Sequence, residues 1–123
     1  MVTDGVAELL VGILRDPAHG FVLTLGAGGV LTEVLADTVS LLLPADAPGI
    51  EAALNRLRIA PLLRGFRGKP PADRAALVSA ILAVQDCAMA HAETLVELEI
   101  NPLIATPGRA VAVDALIRLG ETQ

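Results

Sequence analysis

Residues 95–117 read LVELEINPLIATPGRAVAVDALI, and the folding of this stretch decides the rest of the chain. Two apolar runs, Leu95 to Ile104 and Ala110 to Ile117, flank Thr106-Pro107-Gly108-Arg109. Proline fixes φ at the first central position of a four-residue turn, and glycine takes positive φ at the second, so a type II turn is expected. The two runs then form a β-hairpin. Pairing Thr106 with Arg109 sets Asn101 directly opposite Asp114. Glu99 lies two residues from Asn101 and shares its face. Opposed side chains on one face have Cβ atoms roughly 4.5–5.5 Å apart. Glu99, Asn101 and Asp114 therefore converge in this register. Leu98, Ile100 and Ile104 are expected to share the other, core-forming face with Val111, Val113 and Ile117. A slip of one residue would bury the acids and expose the valines.

Three oxygen-bearing side chains suit a hard cation. Mg²⁺ takes oxygen ligands at about 2.0–2.1 Å and usually keeps waters, with one or two carboxylates plus substrate phosphates. The competing reading is a solvated polar face on which Asn101 makes a local Asx turn. Zinc is not indicated, because the chain has one cysteine, Cys87, and two histidines, His19 and His91, far apart in sequence.

Composition narrows the class. The 123 residues fit one domain, 1–123, which can bury roughly two thirds of its unfolded surface. Hydrophobic residues make up 54% and aromatics only 2%, so Leu, Val, Ile and Ala must build the core. The longest apolar runs fall far short of the ~20 residues of a membrane helix. The N-terminus carries Asp4 and Glu8 and has no basic start, unlike a secretory signal. A net charge of −5 argues against a nucleic-acid surface. An unpartnered Cys87 fits a reducing, cytoplasmic setting and reads as a small core or boundary residue.

Along the chain, Val6 to Leu14 reads as a strand, with its Leu and Ala leaving helix as the alternative, and is ended by Asp16-Pro17. Phe21 to Leu25 is a second strand. Gly26-Ala27-Gly28-Gly29 reads as a hairpin loop or a place of close backbone approach, with Val30 to Leu35 as the next strand and Val39 to Leu43 after it. Asp46 caps a helix starting near Pro48, with Ile50, Leu54 and Leu57 on one face. Pro61 interrupts it, and Leu62-Leu63 make a short helical turn. Arg64 to Pro71 is a loop carrying three cations. A long helix follows from Asp73 to Ala92, with a core stripe of Leu77, Ile81, Val84 and Ala88. Gly120 to Gln123 read as a frayed end. The order predicts an α+β fold with a mainly antiparallel sheet and two to three helices.

Several stretches resemble the C-terminal part of the ATP-grasp region of NDP-forming acyl-CoA synthetases. These are the ADP-forming acetyl-CoA synthetases, related to the succinyl-CoA synthetase β subunit. Residues 8–17 (ELLVGILRDP) are similar to the family's strand ending in Arg-Asp-Pro. Residues 20–37 (GFVLTLGAGGVLTEVLAD) resemble its glycine-rich hairpin, and 61–73 (PLLRGFRGKPPAD) its basic loop. Residues 97–103 (ELEINPL), with Ala112-Val113-Asp114, resemble its metal strand pair. The likeness spans residues 8–118 in the family's order.

The resemblance implies half of an ATP-grasp module, in which nucleotide (ATP or ADP) and Mg²⁺ lie between two subdomains. It assigns Asn101 and Asp114 to metal-coordinating positions, with Glu99 in the same motif, and it makes Glu8 a candidate ribose contact. The implied reaction is acyl-CoA plus ADP and phosphate going reversibly to free acid, CoA and ATP, through an acyl phosphate and a phosphohistidine. Neither His19 nor His91 matches that histidine. The expected partners are a nucleotide, the first ATP-grasp subdomain and the CoA-binding domains. The chain therefore reads as a domain of a larger enzyme or a truncated gene product, inactive in isolation. The acyl substrate and the choice of ADP or GDP are not encoded here.

The remaining candidates each carry two readings. Gly26, Gly28 and Gly29 could let backbone N–H groups approach a phosphate, or could simply supply positive φ in a tight hairpin. Arg64, Arg67 and Lys69 could hold phosphate oxygens, or form a solvated loop. Glu33 and Asp37 face the cleft or serve solubility on an exposed strand. His91 reads as a helix-end cation or a solvent-facing residue rather than a catalyst. For the whole chain, the other class is a stand-alone interaction or scaffold domain without chemistry. A homodimer follows if the apolar face left by the missing subdomain pairs with itself.

Overall fold

The computed structural model describes residues 2–29 and 32–120. Strands β1 (Ala7–Asp16) and β2 (Gly20–Ala27) form a hairpin, then comes a short helix α1 (Thr32–Leu35) and strand β3 (Thr38–Leu42). Helices α2 (Ala47–Arg56), α3 (Ala60–Arg64) and α4 (Arg74–Ala90) follow, then β4 (Leu95–Ala105), β5 (Ala110–Ala112) and β6 (Ala115–Leu119). The described strands form one antiparallel sheet in the order β3-β2-β1-β4-β5, with β6 also on β4. The α+β expectation holds.

Alternation builds one core face. Leu9, Val11 and Ile13 of β1 and Leu23 and Leu25 of β2 are buried with Ile50, Leu54, Leu77 and Ile81 of the helices. Burying a Leu or Ile side chain is worth about 1.5–3 kcal/mol, so this layer carries the fold. Glu8, Leu10, Gly12 and Leu14 alternate with the buried set and lie on the helix-free face.

Helix starts follow their caps. The carboxylate of Asp46 accepts from Gly49 N at 2.8 Å, and that of Asp73 accepts from Ala76 N at 2.9 Å. Leu77, Ile81 and Ala88 of α4 are buried as the stripe predicts, and Gln85 joins them. Its amide bonds both backbone groups of Ala45, Oε1 accepting from N at 2.7 Å and Nε2 donating to O at 3.1 Å. Arg15 explains the Arg-Asp-Pro end of β1. Its guanidinium donates to the carbonyls of Leu95 (2.9 Å) and Ala92, and lies 4.7 Å above the Phe21 ring. Among the described residues no helix is long and apolar enough to cross a membrane.

Five expectations need correction. Thr32–Leu35 is helix, not strand, and Val30 and Leu31 lie outside the described residues. The edge of β2 is already taken by β3, which pairs Gly26 with Thr38, so Gly26–Gly29 is no hairpin loop but the alternative, a place of close backbone approach, with Gly28 against the Leu9 carbonyl. A strand at 32–35 would have had no partner there, whereas a turn of helix closes by Ala36 N donating to Thr32 O at 3.3 Å.

The hairpin register is the expected one, with Leu103 opposite Ala112, Ile100 opposite Ala115, and Asn101 N donating to Asp114 O at 3.1 Å. The expected core face is not. On β1, Leu9 pairs with Leu103 but Val11 pairs with Ile100, so Asn101 and Pro102 bulge opposite Leu10. The buried set accordingly shifts phase from Leu98 and Ile100 to Leu103 and Ala105, leaving Ile104 half-buried. Val113 and Ile117 are 57% and 52% exposed, and Ile117 borders an open apolar hollow with Val84 and Cys87 of α4 rather than packing into the core.

The turn is not type II, since Gly108 is not among the glycines with positive φ. The carbonyl of buried Thr106 accepts instead from Asp73 N at 2.9 Å. The Thr106 hydroxyl takes over the turn, accepting from Gly108 N (3.2 Å) and Arg109 N (3.0 Å). Finally, Gly120 is tied down, its N–H donating to Thr94 O at 2.6 Å, while residues 121–123 lie outside the described range.

Candidate functional site

The bulge in β4 brings Asn101 to the glycine strap that follows β2. Gly29 N donates to Asn101 Oδ1 at 2.8 Å, and Asn101 Nδ2 donates to Thr32 Oγ1 at 3.4 Å. The Thr32 hydroxyl in turn donates to Gly29 O at 2.9 Å. This is not a local Asx turn, because both partners lie about seventy residues earlier in the chain (|i−j| of 72 and 69). Gly29, Thr32, Glu33, Val34, Glu99 and Asn101 line one open cleft of about 560 Å³.

Glycine is required in the strap for packing. A Cβ on Gly28 would run into the carbonyl group of Leu9, 2.5 Å from its oxygen. Gly29 has φ +67° and lies under the Glu8 side chain, whose Cδ would be 3.0 Å from an added Cβ. Both N–H groups have protein acceptors, Gly28 N donating to Glu8 O at 2.9 Å and Gly29 N to Asn101.

The residues singled out in the sequence divide accordingly. Glu8, Gly28, Gly29, Glu99 and Asn101 form one contiguous patch. Exposed Glu8 also lines a neighbouring hollow with Val2, Thr3 and Ile104. Asp114 is exposed and bonded through its backbone to Asn101, and its carboxylate accepts from Ala115 N at 3.0 Å. Arg64 and Arg67 are exposed at the end of α3 and in the loop beyond it, and neither is among the residues lining the Asn101 cleft. Arg67 lies 5.5 Å over the Phe66 ring.

Asp37 corrects an expectation. It is 5% exposed and does not face the cleft. Its carboxylate accepts from Arg58 N (2.9 Å) and Ile59 N (3.1 Å), joining the α1–β3 connection to the α2–α3 corner. Glu33 does line the cleft. The sequence reading missed Thr32, whose only local sign is a hydroxyl residue three positions after a glycine pair. His19 sits 3.4 Å from Asp16 in the β1–β2 turn, and His91 caps α4 with Nδ1 2.9 Å from Cys87 O. In that turn, the Ala18 N–H donating to its carboxylate holds Asp16 below the ordinary carboxylate value, with help from His19.

The donor set is oxygen-rich and suits a hard ion. Among the described residues no three of His, Cys, Asp and Glu come together as a metal cluster. A cation shell here would need the Asn101 amide oxygen, which has a second lone pair beyond the one used by Gly29, together with Glu99 and outside ligands. That fits Mg²⁺, which keeps waters and phosphates in its shell.

A family model described as an ATP-grasp domain matches residues 1–119, and the chain belongs to that family. The matched stretch corresponds to part of the ATP-grasp region of ADP-forming acyl-CoA synthetases. The chain is 34% identical over 120 residues to the ADP-forming acetate–CoA ligase I of Archaeoglobus fulgidus, covering 98% of this chain and 17% of that protein. It is 33% identical to the β subunit of the ADP-forming acetate–CoA ligase I of Pyrococcus furiosus, covering 88% of this chain and 46% of that subunit. The structure of Ca. Korarchaeum cryptofilum dinucleotide-forming acetyl-coenzyme A synthetase 1, in complex with coenzyme A and Mg-AMPPCP, matches with a TM-score of 0.89 at 33% identity. That match covers 97% of this chain and 55% of the solved one. The chain thus spans about half of the shorter relatives and less than a fifth of the longer one.

Proposed function

We propose that this chain supplies one nucleotide- and Mg²⁺-holding half of an NDP-forming acyl-CoA synthetase, which interconverts acyl-CoA, ADP and phosphate with free acid, CoA and ATP. The observation that carries this reading is the opening of Glu99 and Asn101 onto one cleft with the glycine strap. Bound Mg²⁺ would neutralise charge on phosphate oxygens, the main requirement of phosphoryl transfer. Glu99 offers a carboxylate and Asn101 an amide oxygen. Asp114, opposed to Asn101 across the hairpin, offers a second carboxylate. Gly29 holds the Asn101 amide, Glu8 lies beside the strap as a nucleotide contact, and Gly28 keeps the strap close to β1. Arg64 and Arg67 are assigned to phosphate contact when the rest of the enzyme closes over the loop.

The other domains or subunit of the synthetase are the proposed partners, and the chain alone is read as inactive. Exposed Val113, Leu116, Ile117 and Leu119 favour contact with further protein along the β5–β6 edge. The test is Asp114→Ala and Asn101→Ala in the full-length protein. Each should lower turnover by about 100-fold or more, the scale of losing one electrostatic contact to a reacting phosphate or carbonyl; Asp114→Ala should melt near the parent, whereas Asn101→Ala, which leaves the Gly29 N–H without its acceptor, should lose about 1–3 kcal/mol of stability. Parent-level activity in Asp114→Ala removes Asp114 from the site. Parent-level activity in both ends the metal reading.

A further inference from the structure

Resting on that reading, we propose that Thr32 is a positioning residue for Asn101, fixing which end of its amide is offered to a divalent cation. The three hydrogen bonds form a closed ring: Gly29 N to Asn101 Oδ1 (2.8 Å), Asn101 Nδ2 to Thr32 Oγ1 (3.4 Å), and Thr32 Oγ1 to Gly29 O (2.9 Å). The chemistry of each group makes the ring directional. A backbone N–H only donates, so Gly29 N requires an oxygen opposite it. A hydroxyl has one proton, and the Thr32 proton is committed to Gly29 O. Thr32 therefore faces the amide as an acceptor only and takes the NH₂ end. Rotating the amide by half a turn would set NH₂ against N–H and the amide oxygen against hydroxyl lone pairs. Both contacts would be lost together.

Position matters as much as chemistry. Asn101 sits in a bulge, where ladder pairing to β1 is interrupted, so the strand alone does not fix the side chain. Thr32 and Asn101 also line the same cleft, so the bond lies at the wall where a cation would sit. Mg²⁺ tolerates little departure from octahedral geometry. Partners that orient a metal ligand typically change affinity by about 10–100-fold when removed.

The experiment uses the full-length protein and Mn²⁺ as the probe. Mn²⁺ is titrated in the presence of ADP, and free ion is read by electron paramagnetic resonance. Parent, Thr32→Val, Thr32→Ser and Asn101→Ala are compared, with thermal melts run alongside. Valine keeps the shape of threonine without the hydroxyl, and serine keeps the hydroxyl without the methyl. Thr32→Val should weaken Mn²⁺ binding about tenfold, Thr32→Ser should stay within about threefold of the parent, and Asn101→Ala should lose at least as much as Thr32→Val. Parent-like binding in Thr32→Val alongside lost binding in Asn101→Ala overturns the role of Thr32 and leaves the metal site standing. Equal losses in the valine and serine variants also overturn it, since the methyl would then matter rather than the hydroxyl. Unchanged binding in Asn101→Ala overturns the metal reading itself.

Discussion

Replacing Asp37 should cost this small domain a large part of its stability. The carboxylate is 5% exposed and accepts two backbone N–H groups, from Arg58 at 2.9 Å and Ile59 at 3.1 Å. Hydrogen bonds to a charged group are worth about 1.5–3 kcal/mol each. In Asp37→Ala both are lost, and the N–H of buried Ile59 is left without an acceptor. A loss of about 3–5 kcal/mol follows, against the roughly 5–15 kcal/mol that holds a domain together. Asp37→Asn keeps one oxygen but turns an NH₂ toward the second donor, so it should lose most of the same stabilisation while preserving volume. With an unfolding entropy of about 2.1 cal/mol/K per residue over 123 residues, 4 kcal/mol lowers Tm by about 15 °C. The chain has no Trp or Tyr, so the assay is urea and thermal unfolding followed by far-ultraviolet circular dichroism. An Asp37→Ala protein within about 1 kcal/mol of the parent would refute the view that this carboxylate ties the α1–β3 connection to the α2–α3 corner.

Three further outcomes are expected. Thr106→Val removes the acceptor for Gly108 and Arg109 and should cost about 2–3 kcal/mol, with unfolding curves as the check. Gly28→Ala drives a Cβ into the Leu9 carbonyl and should cost about 1–3 kcal/mol or more; a neutral result in a melt would mean the strap can move away from β1. Asp16 has its carboxyl held below the ordinary 3.8, chiefly by the Ala18 N–H. A carboxyl lowered on folding stabilises above its unfolded value and loses that effect as pH falls through the folded value. The Tm gap between the parent and Asp16→Asn should therefore be flat above about pH 5 and close on further acidification.

The hairpin register was legible because its two strands keep their spacing on both sides of the bulge. Helix starts at Asp46 and Asp73 were legible because caps act within three residues. The core face of β4 was not, since period-two alternation has no signature for two residues facing the single Leu10. The turn type failed for a related reason. Pro-Gly suggests a backbone-closed turn, but the Thr106 carbonyl is claimed by Asp73, a partner that only the tertiary fold supplies. Asp37 and Thr32 were misread or missed because the groups they bind, at 58–59 and at 101, are remote in sequence. For the candidate site, the pairing of Asn101 with Asp114 came from local rules, while its connection to the strap did not.

The irregularity at Asn101-Pro102 lets one strand do two jobs. Its first half delivers Leu98 and Ile100 to the interior, its second half delivers Leu103 and Ala105, and the offset between them frees one amide to point elsewhere. A redesign that trimmed this segment to a uniform pleat would gain a tidier ladder. It would also slide the hairpin tip by one step, detach Thr106 from the start of the long helix, and silence the side chain on which the nucleotide chemistry is proposed to depend.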